Sequence, residues 1–188
     1  MDPSFTGGES LARRVYNRAH LAGEFRLRSG QISDEYFDKY LLESDPALLR
    51  EISEALVALL PAKVDALAGL ELGGVPLAVA MSAACGLPVL FVRKQVKAYG
   101  TRRLAEGGEV DGQRLILVED VISSAGQAIQ SAGELRNRGA EIELVLCVID
   151  RQAGGRERLA ENGIELRSLF TMNELKIAAE GEAPGGDS

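Results

Sequence analysis

Apolar and polar positions change period repeatedly along the last two-thirds of the chain. The runs LILV (residues 115–118) and LVLCVI (144–149) are apolar throughout, which is typical of strands covered on both faces of a parallel sheet. Segments with helical spacing separate such runs. The predicted strands are 66–70, 89–92, 115–119, 144–150 and 166–170, and the predicted helices are 76–84, 127–138, 155–162 and 171–179. This alternation predicts an α/β fold with a doubly wound, mainly parallel sheet.

The N-terminal part has a different pattern. Leu11, Val15 and Ala19 predict an amphipathic helix over residues 9–21, with Ser10 capping its start. In FRLRSGQISDEYFDKYLL (25–42), an SGQ turn separates two stretches rich in aromatic and branched residues, which predicts a hairpin. Asp45-Pro46 then begins a helix through residue 60. We expect one domain over 1–188: a small N-terminal hood (1–43), an α/β core (44–179) and a flexible tail (180–188).

Composition restricts the possible partners. The net charge of -7 argues against non-specific binding to nucleic acid or to anionic membranes. The uncharged stretch 72–92 is long enough to span a bilayer, but Pro76, Gly86 and Pro88 divide it. A buried helix followed by a buried strand is therefore expected there.

Cysteine and histidine are scarce. Cys85 and Cys147 lie in apolar stretches, which predicts buried, reduced thiols and favours the cytoplasm. The first ten residues lack the pattern of a signal peptide. His20, the one histidine, is expected on the first helix in a structural role.

The segment LILVEDVISSAGQAIQ (115–130) carries the strongest chemical signal. A buried strand delivers Glu119 and Asp120, and a loop of small residues then leads directly into a helix. Small side chains and a helix N-terminus suit a phosphate, whereas adjacent carboxylates suit hydroxyl groups. A ribose 5-phosphate satisfies both. The alternative is structural, with Ser123 capping the helix and the acids solvated.

This segment resembles the phosphoribosyl pyrophosphate (PRPP) motif of type I phosphoribosyltransferases, with Glu119 as the first acid and serines in place of the usual threonines. The resemblance implies that the acids hold the ribose 2- and 3-hydroxyls and that residues 123–127 hold the 5-phosphate. The PRPP-binding residues implied here are Glu119, Asp120, Val121, Ile122, Ser123, Ser124, Ala125, Gly126 and Gln127.

A second signal is RKQVKAYGTRR (93–103), which contains five basic residues and no acid. In an acidic protein this predicts an anion site, although a solvated basic loop is the alternative. This segment comes directly after a strand and is followed by the Gly-rich LAEGGEVDG (104–112), so it is expected to form a mobile lid.

The basic segment resembles the catalytic loop of orotate phosphoribosyltransferases at Arg93, Lys94, Lys97 and Gly100, with Tyr99 where most members have histidine. The resemblance implies PRPP contacts from Arg93, Lys94, Lys97 and Tyr99. It also implies catalytic roles for Lys97, Tyr99 and Asp120. Tyr99 is expected to donate a hydrogen bond to pyrophosphate rather than to carry charge.

Two further matches, the N-terminal signature around Arg28 and the Asp-Arg-Gln at 150–152, narrow the resemblance to the orotate branch. Arg28, before Ser29 and Gly30, is implied to contact PRPP. Many orotate enzymes have a lysine where Gly73 stands, and its absence removes one expected phosphate contact. The resemblance therefore implies that the backbone of Leu72 and Gly73 contacts pyrophosphate. The orotate-binding set implied by the resemblance is Arg151, Tyr36, Phe37 and Ser123, with Arg151 pairing the orotate carboxylate and core packing as the alternative for the aromatic pair.

The resemblance implies transfer of the 5-phosphoribosyl group from PRPP to orotate, which gives orotidine 5-phosphate and pyrophosphate. It implies Mg²⁺ held mainly by substrate and water, with no protein metal site, and a homodimer that shares the loop 93–107 across its interface. Two alternatives stay open: a phosphoribosyltransferase for another base such as a purine, and a non-catalytic regulatory protein that binds PRPP.

Overall fold

The computed structural model describes residues 9–26, 30, 32–94 and 104–181. Its strands are β1 (His20–Arg26), β2 (Ile32–Phe37), β3 (Ala66–Leu70), β4 (Val89–Val92), β5 (Ala105–Glu106), β6 (Arg114–Ile122), β7 (Glu141–Asp150) and β8 (Glu165–Thr171). Its helices are α1 (Leu11–Ala19), α2 (Tyr40–Glu43), α3 (Pro46–Val57), α4 (Gly74–Cys85), α5 (Gly126–Arg136), α6 (Gly155–Glu161) and α7 (Met172–Glu180).

Six of these strands form the central sheet, in the order β5-β4-β3-β6-β7-β8. Neighbouring strands are parallel except β5, which is antiparallel to β4. From β3 the chain proceeds outward to β5, and from β6 it proceeds outward in the other direction to β8. The order therefore reverses between β3 and β6, where open α/β sheets bind ligands. The predicted fold class is confirmed.

Each face of the central sheet is covered by its own layer of helices. One hydrophobic cluster contains residues of α5 and α6, with Leu135 and Leu159 fully buried. The other contains residues of α1, α3, α4 and α7, including Ile52 and Met81. Burial of these apolar side chains is the main favourable contribution to folding.

The N-terminal helix ends earlier than predicted. Ser10 caps α1 as expected, because its Oγ accepts a hydrogen bond from the Arg13 backbone N–H at 3.3 Å. His20 does not lie on the helix, however, but begins β1, where it pairs with Phe37 of β2. Its ring stacks on Tyr16, and its Nε2 lies 3.1 Å from Glu35 Oε2. These contacts fit the expected structural role of His20.

The hairpin prediction is correct in kind and wrong in extent. The antiparallel pair β1–β2 begins at His20 rather than at residue 25 and ends at Phe37. The chain then turns into α2, because Asp38 Oδ1 accepts a hydrogen bond from the Tyr40 N–H at 3.1 Å and Leu42 is buried in the core. Residues 40–42, predicted as strand, are therefore helical.

The strand predicted over 115–119 continues to Ile122 as part of β6. Its last residues pair with β7, with Val121 opposite Ile149 and Ile122 opposite Asp150. Glu119 and Asp120 therefore lie inside the strand rather than at its end. Because successive side chains of a strand point to opposite faces, the two carboxyl groups do not project side by side.

Part of the loop predicted over residues 93–107 belongs to the sheet. Ala105 and Glu106 form β5, opposite Val92 and Phe91, and Leu104 is buried. The apolar side chains of this segment anchor it to the sheet edge in spite of the glycines that follow. Residues 105–106 are therefore an edge strand.

The remaining boundaries differ from the predictions by a few residues. The strands 66–70 and 89–92 are confirmed, and the Thr171–Glu174 capping box is present at α7. The stretch 72–92 forms α4 and β4, and no helix within the described ranges is long and apolar enough to cross a membrane. Cys147 is buried as predicted, whereas Cys85 is only partly buried because it lies at the end of α4; both are free thiols.

The two apolar residues Leu175 and Ile177 of α7 provide a test of this packing. Leu175 is fully buried and Ile177 is 58% exposed. We expect Leu175→Ala to lower the free energy of unfolding by about 2–5 kcal/mol, because it leaves a cavity, and Ile177→Ala to lower it by less than about 1 kcal/mol. Urea denaturation of both variants measures the difference, and equal losses would contradict the placement of α7.

Candidate functional site

The site lies at the carboxyl ends of β3 and β6, where two loops meet. The backbone after β3 approaches β6 so closely that a Cβ on Gly74 would overlap the Val118 carbonyl oxygen. Glycine at this position lets the loop after β3 (71–73) lie beside the loop after β6 (123–125). The two loops are thereby fixed against each other at the reversal point of the sheet.

The loop after β6 presents a helix N-terminus without a side-chain cap. Ala125 is the N-cap residue of α5, has a left-handed φ of 57° and has no side-chain oxygen to bond the first N–H groups. Ser123 is thus not the helix cap, which removes the structural alternative for that residue. The free N–H groups and the helix dipole together favour an anion at this point.

Two contacts from α6 fix the side of this loop that faces the protein. Arg158 Nη1 donates a hydrogen bond to the Ser124 carbonyl oxygen at 2.6 Å. Gly155 contacts the Ser123 carbonyl so closely that a Cβ there would overlap it. The carbonyl groups are therefore directed toward the protein.

Gln127 and Glu71 connect the loops of the site. The side-chain Nε2 of Gln127 donates a hydrogen bond to the Glu71 carbonyl oxygen at 2.8 Å. The Glu71 carboxylate accepts one from the Lys94 backbone N–H at 3.0 Å, where the chain leaves β4. The Gln127 side chain is engaged in its hydrogen bond to Glu71. Its predicted phosphate contact would therefore be made by its backbone N–H.

Asp120 is almost completely buried, with only 3% of its surface exposed. Its Oδ1 accepts a hydrogen bond from the Val121 N–H at 2.6 Å, and its Oδ2 lies 2.6 Å from Lys39 Nζ. Sequence reasoning missed Lys39, which it placed in a hairpin strand. The two residues are far apart in sequence, and no local pattern indicates their contact.

Two more carboxyl groups lie near Asp120. Burial and the Asp120 charge raise the pKa of Glu119 to about 8. The same two causes raise the pKa of Glu43, which the sequence analysis also missed. Glu43 Oε1 is buried and has no hydrogen-bond partner among the described residues. At neutral pH Glu119 and Glu43 are therefore mainly protonated.

The packing of these carboxyl groups leaves no room for a side chain at position 73. A Cβ at this position would overlap Asp120 Oδ2 and would lie 2.8 Å from Glu43 Oε1. The Asp120 carboxylate therefore packs directly against the Gly73 backbone. This contact accounts for the absence of a side chain at Gly73, and Leu72 beside it is 59% exposed.

Arg151 follows β7 at the same edge of the sheet. Its backbone N–H donates a hydrogen bond to the Ile122 carbonyl oxygen at 2.8 Å, and its side chain is exposed. Buried Asp150 fixes the turn: it accepts a hydrogen bond from the Gln152 N–H at 2.8 Å and lies 3.0 Å from Arg156 Nη2. Arg151 is thus held next to the loop after β6.

The structure separates the predicted aromatic pair. Tyr36 is 44% exposed and its ring lies 5.4 Å from that of Phe25. Phe37 is partly buried and packs against Tyr16 and the core. Adjacent residues of β2 point to opposite faces. Of these two residues, only Tyr36 is accessible to a ligand. Phe37 packs in the core, which is the alternative that the sequence analysis left open for the aromatic pair.

Part of the predicted basic site can be located. Arg93 follows β4, and its backbone N–H donates a hydrogen bond to the Leu104 carbonyl oxygen at 2.9 Å. Its Nε lies 3.9 Å from Glu106 Oε1, and Lys94 has an exposed side chain whose charge acts on Glu119. Arg28, Lys97 and Tyr99 lie outside the described residues, as does Gly100.

The opposite end of the sheet has a cavity of about 460 Å³. Its two arginines are already paired, because Arg114 Nη2 lies 2.7 Å from Asp65 Oδ1 and Arg167 Nε lies 2.8 Å from Glu165 Oε1. The hydrogen bond from Arg114 lowers the pKa of Asp65 to about 2. We therefore place the functional site at the carboxyl ends of β3 and β6.

The chain is similar to known phosphoribosyltransferases. The sequence pattern described as a phosphoribosyl transferase domain matches residues 42–169. An orotate phosphoribosyltransferase from Nocardioides sp. is 48% identical over 174 residues, which are 93% of this chain and 97% of that protein. An orotate phosphoribosyltransferase from Methanocella arvoryzae is 41% identical over 81% of this chain and 87% of its own length.

Solved structures have the same fold. A crystal structure of Mycobacterium tuberculosis orotate phosphoribosyltransferase in complex with Fe(III) dicitrate matches with a TM-score of 0.81 and 31% identity, over 88% of this chain and 96% of that one. A crystal structure of the M. tuberculosis enzyme in complex with PRPP matches with a TM-score of 0.76 and 27% identity, with the same coverage.

Gly73 and Gly133 form a matched pair for testing the packing at the site. Gly73→Ala places a methyl group against the Asp120 carboxylate, so we expect the free energy of unfolding to fall by about 1–3 kcal/mol. Gly133 lies in α5 with no atom near its potential Cβ. Gly133→Ala is expected to raise stability by up to about 1 kcal/mol. Thermal denaturation measures both, and a harmless Gly73→Ala would contradict the contact.

Proposed function

Since the chain belongs to the orotate phosphoribosyltransferase branch of the phosphoribosyl transferase family, we propose that it transfers the 5-phosphoribosyl group of PRPP to N1 of orotate. The products are orotidine 5-phosphate and pyrophosphate, and the reaction belongs to pyrimidine nucleotide synthesis. One observation carries the proposal. The uncapped N-terminus of α5 and the buried Asp120 carboxylate lie at the two ends of one short segment of chain.

This arrangement suits a phosphorylated sugar. The backbone N–H groups at the start of α5 would bind the 5-phosphate, with Ser123 and Ser124 beside it. Asp120 and Glu119 would accept hydrogen bonds from the ribose hydroxyls. A plain phosphate ion would meet the repulsion of Asp120, whereas a ribose 5-phosphate places hydroxyl groups at the acids and charge at the helix.

The transfer requires no protein nucleophile. As the bond between the ribose and pyrophosphate breaks, positive charge develops on the sugar, and the Asp120 charge favours it. The Leu72 and Gly73 backbone would contact the departing pyrophosphate, together with the basic segment from Arg93. The main contributions are therefore orientation of the two substrates and electrostatic stabilisation.

Mg²⁺ is the proposed cofactor. Within the described residues, no group of three or more histidine, cysteine, aspartate or glutamate side chains could hold a metal ion. Asp120 Oδ2 is engaged by Lys39, which makes it a poor ligand. Mg²⁺ would therefore be held mainly by pyrophosphate and ribose oxygens and by water, as is usual for this ion. When bound, it would neutralise charge on the pyrophosphate.

Arg151 would determine the choice of base. Its exposed guanidinium follows β7, next to the loop that would hold the ribose phosphate. A guanidinium pairs well with a planar carboxylate such as that of orotate. Tyr36 would contact the base from the hairpin. A neutral purine offers no carboxylate to Arg151.

A homodimer in which the loop 93–107 reaches the partner's site is also proposed. Three large apolar side chains are exposed near the start of this loop, namely Leu72, Val79 and Phe91. Val79 lies on α4 and Phe91 on β4, which pack against each other. An exposed apolar surface of this kind supports association with a second copy. We further propose a cytoplasmic location, supported by the two free cysteines.

Loss of orotate absorbance in the presence of PRPP and Mg²⁺ tests the proposed reaction. We expect turnover with orotate and none with adenine or hypoxanthine, because Arg151 lacks a partner on a purine. Arg151→Ala should raise the KM for orotate by about tenfold or more. Arg50→Ala, which changes an exposed residue on α3, should not alter it.

Other outcomes of this assay would overturn the proposal. Equal turnover of a purine would favour a phosphoribosyltransferase for another base. Binding of PRPP without turnover of any base would favour a regulatory protein.

Mixed dimers test the sharing of the basic loop. A Lys97→Ala subunit paired with an Asp120→Ala subunit should regain activity at one of its two sites, since one site then receives an intact loop and an intact acid. Each variant alone should be inactive. If the mixed dimers showed no recovery while wild-type mixtures stayed active, the loop would not act across the interface.

A further inference from the structure

Lys39 connects the N-terminal hairpin to the central strand of the site. It follows β2 by two residues and immediately precedes α2. Its Nζ lies 2.6 Å from Asp120 Oδ2, and 35% of its side chain is exposed, against 4% for Asp120. Burial lowers the pKa of Lys39, but the hydrogen bond and the charge of Asp120 outweigh this and raise it. Lys39 is therefore a cation bound to a buried carboxylate.

The other titratable groups near Asp120 are mostly acids. The Asp120 charge acts on Glu119 of β6 and on Glu43 of α2, and Asp38 also acts on Glu43. Lys94, after β4, acts on Glu119. Lys39 is the cation that contacts Asp120 within the described ranges of the chain. Removing one partner of such a buried pair leaves the other without compensation for its lost hydration.

The backbone leaves Asp120 little freedom on its other side. Gly73 closes one side of the carboxylate, and Val121 donates a hydrogen bond to Oδ1. The remaining oxygen, Oδ2, is held by Lys39. The conformation of this acid is thus set by two contacts within the α/β core and one from the N-terminal hood.

We propose that Lys39 is a positioning residue of the transfer reaction, which holds the Asp120 carboxylate in the orientation that binds the ribose of PRPP. This inference rests on the proposed function. Without the ammonium group, Oδ2 of Asp120 would lose its ion-pair partner and turn away from Gly73, which weakens the hydrogen bonds of the carboxylate to the ribose hydroxyls. Lys39 would thus act through Asp120 and not through its own contact with substrate.

The central test compares Lys39→Met, Lys39→Arg and the control Lys63→Met, which removes an exposed lysine at the opposite end of the sheet. We expect Lys39→Met to raise both the KM and the Kd for PRPP by about tenfold to a hundredfold, and Lys39→Arg to restore most of the affinity. The control should match the wild type.

A double-variant cycle distinguishes positioning from direct contact. If Lys39 acts through Asp120, adding Lys39→Met to Asp120→Asn should cause little further loss of PRPP affinity. Lys39→Met alone leaves the buried Asp120 carboxylate without its partner and could unfold for that reason. The double variant removes both charges and therefore avoids this cause of unfolding. Additive losses would show a direct contact of Lys39 with substrate, and an unchanged Kd in a folded Lys39→Met would show no role; either result overturns the proposal.

Calorimetric titration with PRPP and Mg²⁺ separates this inference from the proposed function, because it requires no turnover. If the wild type binds PRPP but transfers nothing to orotate, the proposed reaction fails, and the ratio of Kd values still decides the role of Lys39. If the wild type transfers the group and Lys39→Met binds PRPP equally well, only the inference about Lys39 fails.

Discussion

Asp120 places a carboxyl group at a point that is almost closed to water, near the middle of the central sheet. Burying a carboxylate is costly unless hydrogen bonds and a counter-charge compensate for its lost hydration. Here the Val121 N–H and the Lys39 ammonium provide them. Position 73 must then be glycine, because the carboxylate occupies the space of a Cβ. The geometry of both loops of the site follows from this one group.

The charge of the whole chain conceals how charge is distributed at the site. The protein has a net charge of -7, yet the N-terminus of α5 offers free N–H groups, and Arg93 and Lys94 begin a segment with five basic residues. The acids Glu119 and Asp120 lie between these two positive regions in the chain. A ligand with phosphate groups at its ends and hydroxyl groups between them matches this order. Polyanions and membrane surfaces do not.

The sequence predicted those features that depend on local patterns. The apolar runs of β6 and β7 indicated a covered parallel sheet, and the small residues at 123–126 indicated an anion site. Contacts between distant segments could not be predicted in this way. Lys39 and Glu43 were missed because residues 40–42 resemble a strand in composition, whereas burial of Leu42 draws them into a helix.

The extent of β6 was missed for a related reason. Val121 and Ile122 are followed by a loop, and only their pairing with β7 keeps them in the strand. The resemblance implied the roles of Arg151 and of the acids. The structure shows the contacts that hold these residues in place. Asp150 holds the turn that contains Arg151, and Gln127 connects the loop after β3 to α5. Such supporting contacts leave no periodic signal in a sequence.

The central claim is that burial and the neighbouring Asp120 carboxylate keep Glu119 and Glu43 protonated near neutral pH. A pH titration of ¹³C-labelled carboxyl groups, followed by NMR in the ligand-free protein, measures this directly. The account predicts that Glu119 titrates at about pH 8 and that Glu43 also titrates well above its ordinary range. Ionisation of both glutamates by about pH 5, near the values of free side chains, would contradict it.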